Sequence, residues 1–93
     1  MIKRVDKSEK YDVFIGRPSE YSNPFILGKD GTRNQVLNKF KIYFHNLDNC
    51  NKLLDELDGK IIACWCKLSQ NCHGDVIIEL YNERKYKNFL NDI

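Results

Sequence analysis

Two segments of this sequence contain the residue types that support binding or catalysis. Residues 16–25 offer an arginine, a serine, an asparagine and a phenylalanine, whereas residues 64–75 offer cysteines, a histidine, a glycine and an aspartate. The chemistry that these types allow is anion binding, nucleophilic attack and metal coordination. The candidate site residues are Arg17, Ser19, Asn23, Phe25, Cys66, Cys72, His73, Gly74 and Asp75.

The end of the second segment is predicted to open a helix, and a helix start attracts anions. Its unpaired N–H groups and the positive end of the helix dipole favour a phosphate or a carboxylate. Gly74 would let a ligand approach the backbone closely, and Arg17 would hold the same anion through its forked guanidinium. Asn23 offers donors and an acceptor to a polar edge. Asp75 is either a ligand contact or a first-turn carboxylate that the dipole favours.

Cys72 and His73 are the candidate catalytic pair. A helix start and a neighbouring imidazolium both lower the pKa of a thiol, so Cys72 would act as nucleophile and His73 as general acid or base. No second acid or base is placed clearly enough to define a reaction, which leaves enzymatic activity open. Cys64 and Cys66 point to one face of a strand, as packing residues or as ligand contacts. Trp65 between them is expected in the core.

Cys64, Cys66, Cys72 and His73 also supply the number of ligands that a zinc ion takes. Their spacing argues against this interpretation, because paired zinc ligands usually stand about two to four residues apart. Here a C-x-C pair is followed by an adjacent cysteine and histidine. The sequence therefore assigns no metal ligand and no cofactor, and a zinc-stapled protein stays an alternative.

The strands that must position these residues are those of a small α/β domain. Residues 1–5 and 11–15 are rich in strand formers and predict two strands, which a hairpin would join. Lys60–Cys66 is a nearly continuous apolar run, typical of a strand buried on both faces, and is the candidate central strand. Residues 16–31 lack periodicity and predict a loop, and loops longer than about 12 residues are commonly functional.

Apolar stripes at three- and four-residue spacing predict the helices. Thr32 and Gln35 form a capping box before the first stripe, and Gly59 suits the end of a short second helix. A third helix begins near Cys72, and the apolar group over residues 86–93 either extends it or forms a fourth. The predicted fold class is α/β: a small three-layer domain of about three strands and three to four helices around the Lys60–Cys66 strand.

Length and charge restrict the classes of function. The 93 residues fit one domain over residues 1–93, and a chain this short can improve a shared site as a homodimer. The net charge of +2 comes from 15 basic and 13 acidic residues in alternation, which argues against long nucleic acid as partner. No run approaches the roughly 18 apolar residues of a membrane span. A cytoplasmic protein with reduced cysteines and no membrane contact is expected.

Five motifs follow one another in order along the chain: Tyr11–Ser19, Asn23–Phe25, Asp30–Arg33, Ala63–Cys66 and Cys72–Asp75. In this arrangement, which covers nearly the whole chain, the sequence resembles the domain of unknown function 4326 family. That family occurs in bacteria and in viruses, and no activity is assigned to it. A glycine commonly precedes its Asn-Pro-Phe motif where Ser22 stands here, a difference that concerns only the local turn. The resemblance therefore supports the location of the site and implies no function.

Together these features predict a small α/β module that binds a nucleotide or a nucleotide-derived metabolite. The phosphate is expected at the helix start over residues 72–75 together with Arg17, while Asn23 and Phe25 shape the rest of the pocket. The first alternative is an enzyme that acts on a nucleoside, nucleotide or base through Cys72 and His73. The second alternative is a zinc-stapled interaction protein of a virus or bacterium.

Overall fold

The three strands form a parallel sheet in which the last strand of the sequence lies in the middle. The computed structural model describes residues 1–91, with side chains through residue 87. Strand β1 (Lys3–Asp6) and strand β2 (Val13–Phe14) both pair with β3 (Ile61–Cys64), giving the order β1-β3-β2. The predicted central strand is thus confirmed, and it is shorter than the apolar run Lys60–Cys66.

The predicted hairpin between β1 and β2 is wrong. Because β3 separates two strands that both run parallel to it, residues 7–12 carry the chain from the carboxyl end of β1 to the amino end of β2. Asp12 fixes this return, since its N–H donates to the Ile61 carbonyl and its Oδ2 accepts from the Ile61 N–H, both at 2.8 Å. A polar connection of this length allows a hairpin as well, so only the distant strand β3 decides the pairing.

Three helices complete the fold: α1 (Arg33–His45), α2 (Cys50–Leu57) and α3 (His73–Asn91). Helix α3 runs without a break to residue 91, so the apolar group that begins at residue 86 extends this helix, while Ile93 lies outside the described residues. Among the helices of residues 1–91, none combines the length and the apolar character that crossing a bilayer requires.

Local signals at the helix ends are confirmed. Thr32 Oγ1 accepts a hydrogen bond from the Gln35 N–H, and Gln35 Oε1 accepts one from the Thr32 N–H at 2.8 Å, which completes the capping box of α1. Gly59 follows α2 with a φ of +76°, a left-handed conformation in which a side chain would be strained. Both ends are therefore set by residues close in sequence.

The large core lies on one face of the sheet. Side chains alternate along a strand, so Ile62 and Cys64 point to one face of β3 and Ala63 to the other. Ile62 and Cys64 belong to the apolar cluster that includes residues of all three helices, whereas Ala63 is buried outside that cluster. The small α/β domain with three strands and three helices is confirmed for the described residues, and all three helices contribute to the apolar cluster on this face.

We expect Phe44→Ala to lower the free energy of unfolding by about 3–5 kcal/mol, because the fully buried ring of Phe44 fills the core between α1 and its neighbours. Ile42 lies two residues earlier on the same helix and is 66% exposed, so Ile42→Ala should change that free energy by less than about 0.5 kcal/mol. Urea denaturation followed by circular dichroism measures both variants. Equal losses would contradict the assignment of the buried face of α1.

Candidate functional site

The loop after β2 and the segment after β3 meet in one cavity of about 230 Å³. Its walls come from that loop, the first turns of α1, the end of β3 and the start of α3. The cavity therefore lies beyond the carboxyl ends of parallel strands, where ligands commonly bind in open sheets. The candidate residues that line it are Arg17, Asn23, Phe25, Cys66, Cys72 and His73.

Ser19, Gly74 and Asp75 are not among the residues that line this cavity. A Cβ atom on Gly74 would lie 2.9 Å from both Arg4 Cδ and Ile15 Cδ1, so this glycine allows α3 to pack closely on the sheet. Asp75 Oδ1 accepts a hydrogen bond from Arg4 Nε at 3.0 Å. Gly74 and Asp75 thus contact the sheet side of the helix start.

Three N–H groups at the start of α3, those of Cys72, Gly74 and Asp75, have partners within the chain. The Cys72 N–H donates to Asp75 Oδ2 at 3.1 Å, the Gly74 N–H donates to Cys72 Sγ at 3.4 Å, and the Asp75 N–H donates to the Cys72 carbonyl at 2.9 Å. The sulfur of Cys72 therefore takes the role of a helix N-cap acceptor. A ligand anion at this helix start would have to replace these contacts.

Arg17 stabilises the loop after β2 through hydrogen bonds to the backbone of the same loop. Its Nε and Nη2 donate to the Asn23 carbonyl at 3.1 and 2.9 Å, and Nη2 also donates to the Phe25 carbonyl at 3.1 Å. Asn23 Oδ1 in turn accepts from the Phe25 N–H at 2.9 Å. Among the described residues, none accepts a hydrogen bond from Nη1 of Arg17. One edge of this exposed guanidinium is therefore available to a ligand.

Arg33 lines the cavity but is not among the site residues predicted from the sequence. It is the first residue of α1, it is half-buried, and its Nη1 donates to the Asn71 carbonyl at 2.9 Å and lies 4.0 Å from Cys66 Sγ. A signal for it was present, because a cation in the first turn opposes the helix dipole and this turn has no acid. Positions that violate a local preference are often functional.

Trp65 is 63% exposed, so its prediction as a core residue is wrong. It follows β3 directly and meets the ring of Phe14 edge-on, with centroids 5.3 Å apart. Lys7 Nζ lies 4.3 Å from the centroid of the indole. Phe14 pairs with Ala63, which is buried outside the large apolar cluster. Trp65 thus lies at the surface, and it is among the residues that line the cavity.

Three cysteines gather at the same cavity. The Sγ atoms of Cys64, Cys66 and Cys72 all lie within 4.8 Å of one another, and those of Cys64 and Cys72 are 2.7 Å apart. All four cysteines are free, and the fourth, Cys50, is buried in the core on α2.

Cys64 and Cys72 titrate as a pair. The contact between Cys64 Sγ and Cys72 Sγ, with the Cys66 N–H at 3.2 Å from Cys64 Sγ, lowers the pKa of Cys64 to about 5 although burial opposes the shift. The same contact and burial raise the pKa of Cys72. One sulfur of the pair therefore ionises readily while the second ionisation is resisted. Cys72, the predicted nucleophile, is a member of this pair, and its own pKa is raised by the Cys64 contact and by burial.

His73 is buried and is held by a backbone carbonyl. Its Nε2 lies 2.9 Å from the carbonyl oxygen of Ile15, and because a carbonyl only accepts, Nε2 carries the ring proton and Nδ1 a lone pair. Nδ1 lies 3.6 Å from Cys72 Sγ, so the two predicted catalytic residues are in contact. Burial lowers the pKa of His73, which leaves the ring neutral near pH 7.

Tyr21 anchors the loop to α2. Its side chain is buried, its hydroxyl donates to Glu56 Oε2 at 2.9 Å, and its N–H donates to Ser19 Oγ at 3.2 Å. Burial and the acidic partner raise the pKa of Tyr21 to about 12. Ser19 thus contributes to the turn of the loop, and Tyr21 holds that turn against α2.

We expect Tyr21→Phe to lower the free energy of unfolding by about 1 kcal/mol at neutral pH, because one hydrogen bond of a buried side chain is lost. The folded protein holds the phenol proton with a pKa of about 12 against an ordinary value of 10.0. The stabilisation is therefore complete below pH 10 and is lost as the pH rises toward 12, so the difference between wild type and Tyr21→Phe should narrow over that window.

Urea denaturation at a series of pH values from neutral to strongly alkaline measures how the difference in unfolding free energy between wild type and Tyr21→Phe changes. Tyr86→Phe is the matched control, since Tyr86 is 63% exposed, and it should follow the wild type throughout. A difference between wild type and Tyr21→Phe that stays constant across the alkaline range would contradict the anchoring role.

Comparison with known proteins gives one match. The model of a family described as domain of unknown function (DUF4326) matches residues 2–83, a range that includes both segments of the cavity. No curated protein and no solved structure matches the chain. The family description names no activity, so the function has to be argued from the cavity itself.

Proposed function

We propose that this chain, which belongs to the domain of unknown function (DUF4326) family, binds a mononucleotide or a metabolite derived from one. The observation that carries the proposal is the cavity, where two arginines and two aromatic side chains meet beyond the carboxyl ends of the strands. Its volume of about 230 Å³ is below the roughly 300–1,000 Å³ of pockets for drug-sized ligands. It therefore suits a mononucleotide better than a dinucleotide.

The anionic group of the ligand would lie between Arg17 and Arg33. Each guanidinium has capacity beyond its contacts within the chain, because Arg33 uses Nη1 on the Asn71 carbonyl and Arg17 uses Nε and Nη2 on the loop. One guanidinium group can donate two parallel hydrogen bonds to two oxygens of a phosphate, which gives both affinity and a fixed orientation. This position is favoured over the start of α3, where the N–H groups of Cys72 and Gly74 are satisfied within the chain.

The flat part of the ligand would contact aromatic and amide groups of the same cavity. Trp65 exposes much of its indole, and Phe25 is half-buried with its ring edge-on to Tyr43. Stacking on such rings tolerates any base, and alanine substitution in other proteins shows that it contributes about 1–3 kcal/mol per base. Asn71 is exposed at the rim, where its amide can meet the polar edge of a base. The lining thus supports a ligand that is anionic at one end and aromatic at the other.

A thermal-shift panel of bases, nucleosides and nucleotides tests the proposal. A ligand at about 100 times its Kd stabilises the folded state by about 2.7 kcal/mol, so specific binding raises the Tm clearly. We expect at least one nucleoside monophosphate to raise the Tm more than inorganic phosphate does, because the base adds contacts. Arg33→Gln should weaken that binding at least about tenfold, which corresponds to the loss of about 1.4 kcal/mol.

Lys52→Gln is the matched control, because it removes the same charge from an exposed position on α2 that does not line the cavity. Its affinity should equal that of the wild type. A panel without any stabilising nucleotide would count against the proposal, as would equal affinities of Arg33→Gln and Lys52→Gln. Chromatography of the incubated ligand separates the enzyme alternative, since turnover that is lost in Cys72→Ala would assign catalysis to the same cavity.

A further inference from the structure

We infer that Cys64, Cys66 and Cys72 form a binding site for a thiophilic metal ion such as Zn²⁺. Their sulfur atoms lie within 4.8 Å of one another. A tetrahedral zinc ion with Zn–S bonds of about 2.3 Å holds its sulfurs about 3.8 Å apart, so small side-chain rotations place all three around one ion. The inference does not rest on the proposed nucleotide, because the three sulfur atoms that carry it are not the groups proposed to bind that ligand.

The fold explains why the spacing in the sequence did not predict this site. Cys64 ends β3, Cys66 lies in the turn that follows, and Cys72 caps α3, so the three sulfurs come from three different local structures. The usual spacing of paired ligands describes two residues of a single turn. Here the turn after β3 returns to the sheet edge, and this return brings Cys72 to the other two cysteines.

Each of the three sulfurs has an N–H group directed at it. The Cys66 N–H donates to Cys64 Sγ at 3.2 Å and the Gly74 N–H donates to Cys72 Sγ at 3.4 Å. Arg33 Nη1 lies 4.0 Å from Cys66 Sγ. Thiolate is the form of cysteine that binds metals, and N–H donors stabilise it. Cysteines that only fill space in a core need no such donors, so this feature favours a metal site over packing.

Charge and access also suit a metal ion. Three thiolates with Zn²⁺ carry a net charge of −1, and Arg17 and Arg33, which line the same cavity, offset it. All three cysteines line the cavity, so the fourth position of a tetrahedral ion faces this space. Three protein ligands with an open position are typical of reactive zinc sites. Binding releases the thiol protons to the buffer and changes no oxidation state.

Zinc content of the full chain tests the site. The protein is purified with a reductant, incubated with excess Zn²⁺, passed over a chelating resin and measured by mass spectrometry of the metal. We expect about one zinc per chain in the wild type, and at least about tenfold weaker binding in Cys66→Ser, since even the loss of a hydrogen bond to a metal ligand commonly costs about 10- to 100-fold in affinity. Cys50→Ala, which removes the one thiol outside the cluster, should keep about one zinc.

Titration with Co²⁺ gives a second measurement that does not rely on a folded variant. Thiolate ligands produce a charge-transfer absorption in the near ultraviolet, which we expect in the wild type and in Cys50→Ala and not in Cys66→Ser. The site is overturned if the wild type, with all four thiols shown to be reduced, retains no zinc and gives no such absorption. Equal zinc content in wild type and Cys66→Ser would overturn it as well. A nucleotide panel without a response leaves both metal measurements unaffected.

Discussion

The hydrogen bond between His73 Nε2 and the carbonyl oxygen of Ile15 joins the two halves of the candidate site. Ile15 directly precedes the loop that holds Arg17, and His73 directly follows Cys72 at the start of α3. Both residues are buried, and a buried carbonyl without a donor costs about 1–3 kcal/mol. The contact therefore holds the loop against the helix start, and the cavity between them depends on it.

The sheet determines where this contact forms. The Ile15 N–H donates to the Ala63 carbonyl at 2.8 Å, which extends the pairing of β2 with β3 by one residue beyond the end of β2. The carbonyl of the same residue then turns to His73. Because β3 lies in the middle and runs parallel to both neighbours, its end at Cys64 and the end of β2 emerge at the same edge. Loop, cysteines and helix start are neighbours for this reason.

Features set by residues close in sequence could be predicted, and features set by distant contacts could not. The capping box of Thr32 and the strand before Cys64 follow from a few adjacent side chains, and the structure confirms both. The hairpin prediction was wrong because the strand order depends on the distant strand β3. The core position predicted for Trp65 was wrong because the burial of a residue depends on how distant elements such as α3 pack. Gly74 was predicted to approach a ligand, whereas its close neighbours are Arg4 and Ile15 on the sheet, a contact that no local pattern reveals.

The anion site and the reactive thiol, which the sequence presents as separate features, use the same N–H groups. The Gly74 N–H that would hold a phosphate donates to Cys72 Sγ, which is in hydrogen-bond contact with Cys64 Sγ. The positive end of α3 therefore acts on the negative charge that this pair of sulfurs carries, since the pKa of Cys64 is lowered to about 5. The Gly74 N–H, which serves this internal anion, would have to leave it to hold an external one. The charge available to a ligand is consequently that of the arginines, and Arg33 is the one that faces both the sulfurs and the cavity.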